Sequence, residues 1–231
     1  FNYHPQKGGL NARTNLYYLQ TLDAGRTWQN AAGQDVAIPL DQVHNAALVR
    51  DYESEGLLVY LKQLQFDAHG RPLILYQTSR GYEPGPKNDP RTWRIARFDG
   101  QEWEYRDVTT SDHNYDFGSL YLEADGTWRL IAPTDPGAQP FATGGQMVMW
   151  TSRDEGRSWQ KIKPLTHDAR LNHSFARQPL NAHPDFYALW GDGDTRRPSE
   201  SSLYFTDRAG THVWRLPQKM DTESAQPTVA W

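Results

Sequence analysis

HNYD, His113 to Asp116, brings a base, an amide, a phenol and a carboxylate together in four residues. Such a mixture suits proton transfer, because imidazole and phenol both give and take protons while an amide holds a polar ligand. The same four residues also make an ordinary turn, in which Asn114 and Asp116 cap the backbone and Tyr115 packs under a neighbouring sheet. NHSFAR, Asn172 to Arg177, invites the same two readings one repeat later and offers His173 and Arg177. FNYH, at the start of the chain, offers His4, where a hydrogen-bonded surface histidine is the plainer reading. Other motifs are poor. GDGD (Gly191–Asp194) lacks the spacing of a calcium loop, FATGG lacks the strand-then-helix context of a phosphate loop, and no serine sits in a G-x-S-x-G elbow.

Positioning these residues is the work of a repeat. TLDAGRTW (Thr21–Trp28) recurs as SRDEGRSW (Ser152–Trp159), and looser echoes, RFDGQEW and TDRAGTHVW, end at Trp103 and Trp214. The four tryptophans are 75, 56 and 55 residues apart (28 to 103, 103 to 159, 159 to 214). A period near 55, with short strands between turn signals, is the pattern of a β-propeller blade. Leu57–Asp67 and Arg71–Ser79 read as one hairpin, and TWRIARF and EWEYRDV as the next, around Asp99-Gly100. GSLYLEAD, GTWRLIAPT, QMVMWTS and SWQKIKPL repeat the scheme, as do SFARQPLNAHPD, FYALWGD, SSLYFTD and HVWRLP. FNYH, NLYYLQT and TWQN read as the last three strands of an earlier blade. The expectation is an all-β, partial β-propeller of about three and a half four-stranded antiparallel blades. It forms a single domain over residues 1–231, the C-terminal part of a larger propeller whose remaining blades lie outside this chain. A small self-closed propeller that uses the tail after Pro217 is the alternative.

In the repeated phrase the Asp accepts hydrogen bonds from its own turn, the Gly permits positive φ and the Trp packs between sheets, so the phrase marks the fold and not the chemistry. It joins the third and fourth strands of a blade. Alternating strands then carry the second–third loops and the blade crossings to the opposite face. That face gathers His4, His113, His167 and His173, with Tyr82, Tyr115, Arg13, Arg80, Arg91, Arg94 and Arg177. Its long Gly/Pro-rich loops are where binding residues belong on a rigid scaffold.

Bulk properties narrow the field. Charge is −4 over 231 residues with both signs interspersed, so no basic field points to nucleic acid or an anionic membrane. No apolar run reaches the roughly 18 residues of a membrane span. Cysteine is absent, which excludes disulfides and thiolate zinc sites. Aromatics are 13% of the chain, with nine Trp and twelve Tyr, a content that suits both pleated sheets and sugar-stacking surfaces.

GGLNARTNLYYLQTLDAGRTW, YEPGP, SDHNYDFGSLYLE, GTWRLIAPT, TGGQMVMWTSRDEGRSW and ALWGDGD together resemble the BNR-repeat (Asp-box) proteins of bacterial polysaccharide degradation. Within that group the similarity is to propeller-type ulvan lyases and their relatives, over nearly the whole chain. The resemblance implies a secreted or periplasmic protein that cleaves a uronate-containing polysaccharide by β-elimination. That chemistry needs donors that neutralise the uronate carboxylate, a base for the C5 proton and an acid for the leaving oxygen. Carried onto this chain, His4 or His113 is the base or neutraliser, Tyr82 or Tyr115 the acid/base, and Arg94 the carboxylate partner. Arg13, Asn114, His173 and Arg177 are candidates for substrate binding. No cofactor and no metal are implied by these residues, although lyases of this group can hold a structural zinc. Two rivals stay open. A sialidase-like glycoside hydrolase would use paired carboxylates from Asp116, Asp135, Asp192 and Asp194, and a non-catalytic glycan-binding propeller would need only exposed rings.

Overall fold

The computed structural model describes all 231 residues. The chain divides into two compact units, residues 1–83 with 88–107 and residues 84–87 with 108–231. In the first, β1 (Leu16–Tyr17) pairs with β2 (Leu48–Arg50), and β3 (Leu58–Phe66), β4 (Pro72–Ser79), β5 (Arg91–Phe98) and β6 (Trp103–Ser111) form a sheet in chain order. The second unit has two more sheets. One holds β7 (Ser119–Leu122), β8 (Trp128–Asp135), β9 (Gln146–Ser152) and β10 (Gln160–Pro164). The other holds β11 (Asn172–Arg177), β12 (Ala188–Gly193), β13 (Leu203–Thr206), β14 (Val213–Arg215) and β15 (Thr228–Val229).

Consecutive strands are neighbours throughout, which is what short Asp- and Gly-bearing turns enforce. Burial grades across each sheet. Every residue of β4 is buried, whereas β10 is mostly exposed, so the second strand reads as an apolar run and the fourth as a wet edge. In the first unit Leu16, Tyr18, Val49, Tyr52, Val59, Ile74, Tyr76 and Ala96 form the main core. In the second, Tyr121, Ile131, Met147 and Met149 of one sheet pack on Ala176, Ala188, Trp190, Tyr204 and Val213 of the next.

The repeated phrase behaves as a turn. Asp23 accepts from the backbone of Arg26 and Thr27 and from the Thr27 hydroxyl at 2.8–2.9 Å, and Asp154 accepts from the Ser158 backbone at 2.9 Å and its hydroxyl at 2.6 Å. These bonds hold the Asp23 carboxyl down to about 2 and Asp154 lower still, chiefly through Thr27 and Ser158 respectively. Gly25 and Gly156 have φ +87 and +85. Substituting Gly25 with Ala forces that left-handed backbone on a Cβ and is expected to cost about 1 kcal/mol in urea unfolding. An unchanged midpoint would show that the turn does not depend on it. The Asp154 turn joins β9 to β10, and the Asp99 and Asp207 turns join β5 to β6 and β13 to β14. Within each sheet, then, the long segments 80–90, 112–118, 136–145, 165–171 and 194–202 leave from the other end.

Three expectations are corrected. Of the strands expected in the first 30 residues, only β1 is a ladder strand. The rest are the isolated bridges Tyr3–Thr14, Gln20–Gln29 and Gln29–Asp35. Side chains satisfy that backbone instead: Asn30 alone accepts from Ala32 and Gln34 and donates to the Ala46 carbonyl. NHSFAR is not a turn: all six residues form the strand β11, which starts two residues before the expected SFAR strand and ends at Arg177, tied down by Asn172, whose amide donates to the carbonyls of Gln139, Thr143 and Gly144 at 2.9–3.2 Å. The tail adds an unexpected fifth strand, β15, paired with β14.

Candidate functional site

The segment from Asp112 to Gly118 is pinned at both ends. Asp116 is fully buried and accepts from the Gly144 backbone at 2.7 Å and the His113 backbone at 3.2 Å, while Asp112 accepts from the Phe141 backbone at 2.8 Å. Asn114 is 1% exposed, so it is a structural residue of the turn and not the substrate contact expected of it. Tyr115 does not pack beneath a sheet; it is 40% exposed. His113 Nδ1 lies 3.1 Å from the Tyr115 backbone N–H and 3.2 Å from Thr143 Oγ1, and the two rings are 5.8 Å apart. A backbone N–H can only donate, so Nδ1 is the acceptor and the neutral ring carries its proton on Nε2. His113 is thereby set as a donor through Nε2.

His173 is corrected from ligand contact to core. It is 1% exposed, Nδ1 accepts from Trp190 Nε1 at 3.0 Å, and Tyr204 and Trp231 meet it edge-on at 4.9 and 5.2 Å. Burial pulls its titration down to about 4, against a smaller upward pull from Asp192. The unfolded ring, with the ordinary value near 6.5, binds a proton first as pH falls. Stability is therefore intact above about pH 6.5 and is lost progressively down to about pH 4, by about 3 kcal/mol in total. Urea titrations at stepped pH check this, and His173→Gln is expected to flatten that part of the profile. Arg177, at the other end of β11, lays its guanidinium over the Phe117 ring at 5.1 Å.

A cleft of about 700 Å³ opens on the side of the β11–β14 sheet away from the core, floored by Ser174, Leu189, Gly191, Gly193 and Leu203 and flanked by Phe175. Its floor is mostly apolar, Tyr115 and Thr143 stand in its wall, and Arg177 is its one basic group.

In the first unit, Arg94 on β5 is held by Asp107 at 3.0 Å and by the Tyr52 hydroxyl at 3.5 Å. Tyr52 bonds in turn to Tyr76 at 2.6 Å, and both rings are fully buried. Burial, then the Tyr52 hydroxyl, holds the Tyr76 phenol well above the ordinary range. These two tyrosines carried no local sequence signal, being 24 residues apart. His4 is exposed, 3.0 Å from Asn2 Oδ1, beside a cavity of about 620 Å³ lined by Phe1, Tyr17 and Leu40. Arg13 Nε donates to the Leu10 carbonyl at 2.7 Å, with its guanidinium over Tyr60 at 5.0 Å. Tyr82 is 45% exposed in a loop stapled by the fully buried Arg91, which bonds to the Glu83 carbonyl at 2.9 Å and pairs with Asp89. The candidates thus fall into two sets, His4, Arg13, Tyr82 and Arg94 in one unit and His113, Asn114, Tyr115, His173 and Arg177 in the other.

Carboxylates for a hydrolase are otherwise engaged. Asp116 caps its turn, Asp135 pairs with Lys161 at 2.6 Å, Asp192 accepts from the Ser202 backbone and Tyr204 hydroxyl, and Asp194 pairs with Arg197 at 2.8 Å. No group of three or more His, Asp or Glu side chains is placed to hold a metal ion. No helix is long and apolar enough to cross a membrane.

Residues 5–111 match the model of a BNR repeat-containing family. The BNR-repeat match takes in β1 to β6, and with them His4, Arg13, Tyr82 and Arg94. No curated protein matches the sequence. Among solved structures, an ulvan lyase from a new polysaccharide lyase family, bound to -[GlcA(1-4)Rha3S]-, superposes with a TM-score of 0.68 at 17% identity, over 89% of this chain and 47% of that one. A second structure of such an ulvan lyase gives 0.65 at 17% identity, over 84% and 43%. A protein of unknown function from Dyadobacter fermentans gives 0.54 at 16% identity, over 91% and 52%. The chain therefore spans about half the length of the structures it matches. The fold is all-β and that of a partial β-propeller, with a BNR-repeat segment resembling those lyases.

Proposed function

We propose that this chain is part of a polysaccharide lyase that cleaves a uronate-containing, ulvan-like glycan by β-elimination outside the cytoplasm. The observation that carries the reading is the His113–Tyr115 pair, an imidazole whose Nε2 is set to donate beside a half-exposed phenol on a pinned turn. In the reaction the Nε2 donor hydrogen-bonds the uronate carboxylate and stabilises the charge that develops as C5 loses its proton. Tyr115 takes the C5 proton as the phenolate and, as the phenol so formed, passes it to the leaving oxygen. The C5–H electrons form the C4–C5 double bond as the C4–O bond breaks, and the leaving oxygen takes a proton. The engagement of Asp116, Asp135, Asp192 and Asp194 in structural contacts favours this reading over hydrolysis.

Its test is the product of the complete gene, incubated with ulvan and other uronate polysaccharides while the ultraviolet absorbance of unsaturated uronate is followed. A rising absorbance supports the lyase. New reducing ends without absorbance would replace it with a hydrolase, and silence in both with a glycan-binding propeller.

A further inference from the structure

One residue of β11 turns a ring away from the sheet. Ser174 pairs with Gly191 and Arg177 with Leu189, so Phe175 and Ala176 together stand opposite Trp190 alone. A bulge of this kind re-aims a side chain. Ala176 joins the core and is fully buried, while Phe175 holds a φ of +61 and is 49% exposed. A left-handed backbone beneath a large exposed ring runs against both local preference and burial, and such strain gathers at ligand clamps. The bulge is also braced on the turn that carries His113 and Tyr115. The Ala176 backbone N–H donates to the Phe117 carbonyl at 3.1 Å, and Ser119 Oγ donates to the Ala176 carbonyl at 3.0 Å and accepts from the Gln178 backbone at 3.1 Å. The Phe175 ring stacks on Phe117 at 5.0 Å with the planes 9° apart.

Phe175, Arg177 and Tyr115 thereby line one cleft. Its floor crosses Gly191 and Gly193, where a Cβ would meet nothing closer than 3.6 Å, so the absent side chains leave open room. Charge in the cleft is one-sided. Asp194 is paired with Arg197, and Asp192 accepts from the Ser202 backbone and the Tyr204 hydroxyl, whereas Arg177 is exposed and has no carboxylate partner. A sugar ring has an apolar C–H face and a polar edge, which suits an aromatic flank over an open floor with one free cation. We propose that Phe175 and Arg177 form a subsite for a sugar residue neighbouring the uronate that reacts at Tyr115. That sugar stacks on the Phe175 face turned away from Phe117, and Arg177 pairs with its anionic group, a sulfate ester or a second uronate carboxylate. The subsite rests on the lyase reading for what stands at Tyr115. It selects polymers, because a neighbour without charge forgoes the Arg177 contact.

The test is calorimetric titration of the complete gene product carrying Tyr115→Phe, which stops turnover, with an ulvan tetrasaccharide and with the same tetrasaccharide after desulfation. Adding Phe175→Gly removes the ring and suits the left-handed backbone, so the urea midpoint is expected to hold while binding weakens about fivefold. Phe175→Tyr is expected to bind as Phe does. Arg177→Ala is expected to weaken binding about tenfold. If that loss disappears with the desulfated sugar, the anion is the sulfate; if it persists, the anion is a carboxylate. Full-strength binding by both Phe175→Gly and Arg177→Ala would overturn the proposal, as would failure of both tetrasaccharides to bind. A midpoint that falls in step with binding would also overturn it, by making Phe175 a structural residue. The lyase reading has its own readout, the unsaturated-uronate absorbance with Tyr115 intact. Product without these binding losses removes the subsite alone, and binding losses without product remove the lyase alone.

Discussion

Replacing His113 with Ala lowers kcat/KM on the uronate polysaccharide by two to three orders of magnitude, within the range of about 10²–10⁴ that a positioned proton donor contributes. The expectation follows from which nitrogen is engaged. With Nδ1 accepting from the Tyr115 backbone at 3.1 Å and facing Thr143 Oγ1 at 3.2 Å, the ring is oriented and its tautomer chosen before substrate arrives. Alanine removes the donor and also leaves the Tyr115 backbone N–H without its acceptor, so the phenol loses its placement together with the imidazole. Tyr115→Phe separates the two effects, because it keeps the turn and removes only the hydroxyl. Measured by unsaturated-uronate absorbance in the complete gene product, a loss below about threefold for His113→Ala would move the chemistry to the other unit, to His4 and Tyr82.

The largest loss of stability is expected at Glu123, far from any proposed chemistry. Its side chain is 6% exposed and accepts from Arg129 Nε at 2.8 Å and the Tyr187 hydroxyl at 2.7 Å, and it also pairs with Arg208. One carboxylate therefore joins the β7–β8 turn to the neighbouring sheet. Glu123→Ala strands the nearly buried Arg129 guanidinium, 13% exposed, and a phenol that burial raises to about 12. Removing one partner of a buried pair costs about 3 kcal/mol here, at the low end of the usual range because Arg208 is partly solvated. Glu123→Gln keeps the shape and one acceptor oxygen and falls between the two. Urea unfolding of the three proteins checks the order, and a loss under about 1 kcal/mol for Glu123→Ala would show that the hub is dispensable.

Much of the architecture was legible because it is local. A turn with Asp one to three residues before Gly satisfies its own backbone wherever it occurs, so the Asp23, Asp99, Asp154 and Asp207 turns were readable without knowing what surrounds them. The strands between them follow from alternation and length, and β9 matches its expected bounds from Gln146 to Ser152. Where side chains replace the ladder, as Asn30 does, residue type alone does not distinguish a strand from an irregular loop.

The site was legible only as a list of residue types on one end of the sheets. Sequence alone determined that His113 and Tyr115 share a short turn, since two residues of separation leave them no choice. Tertiary structure decided which histidine is sealed in the core. His113 is held by a threonine 30 residues away, whereas His173 is sealed by Trp190, Tyr204 and Trp231. It likewise decided that Asn114 is core, that Tyr76 serves Tyr52 and that Ser174 lacks an acceptor. The physical reason is that bonding within a turn depends on neighbours in the chain, while burial and proton placement depend on groups that only packing brings together.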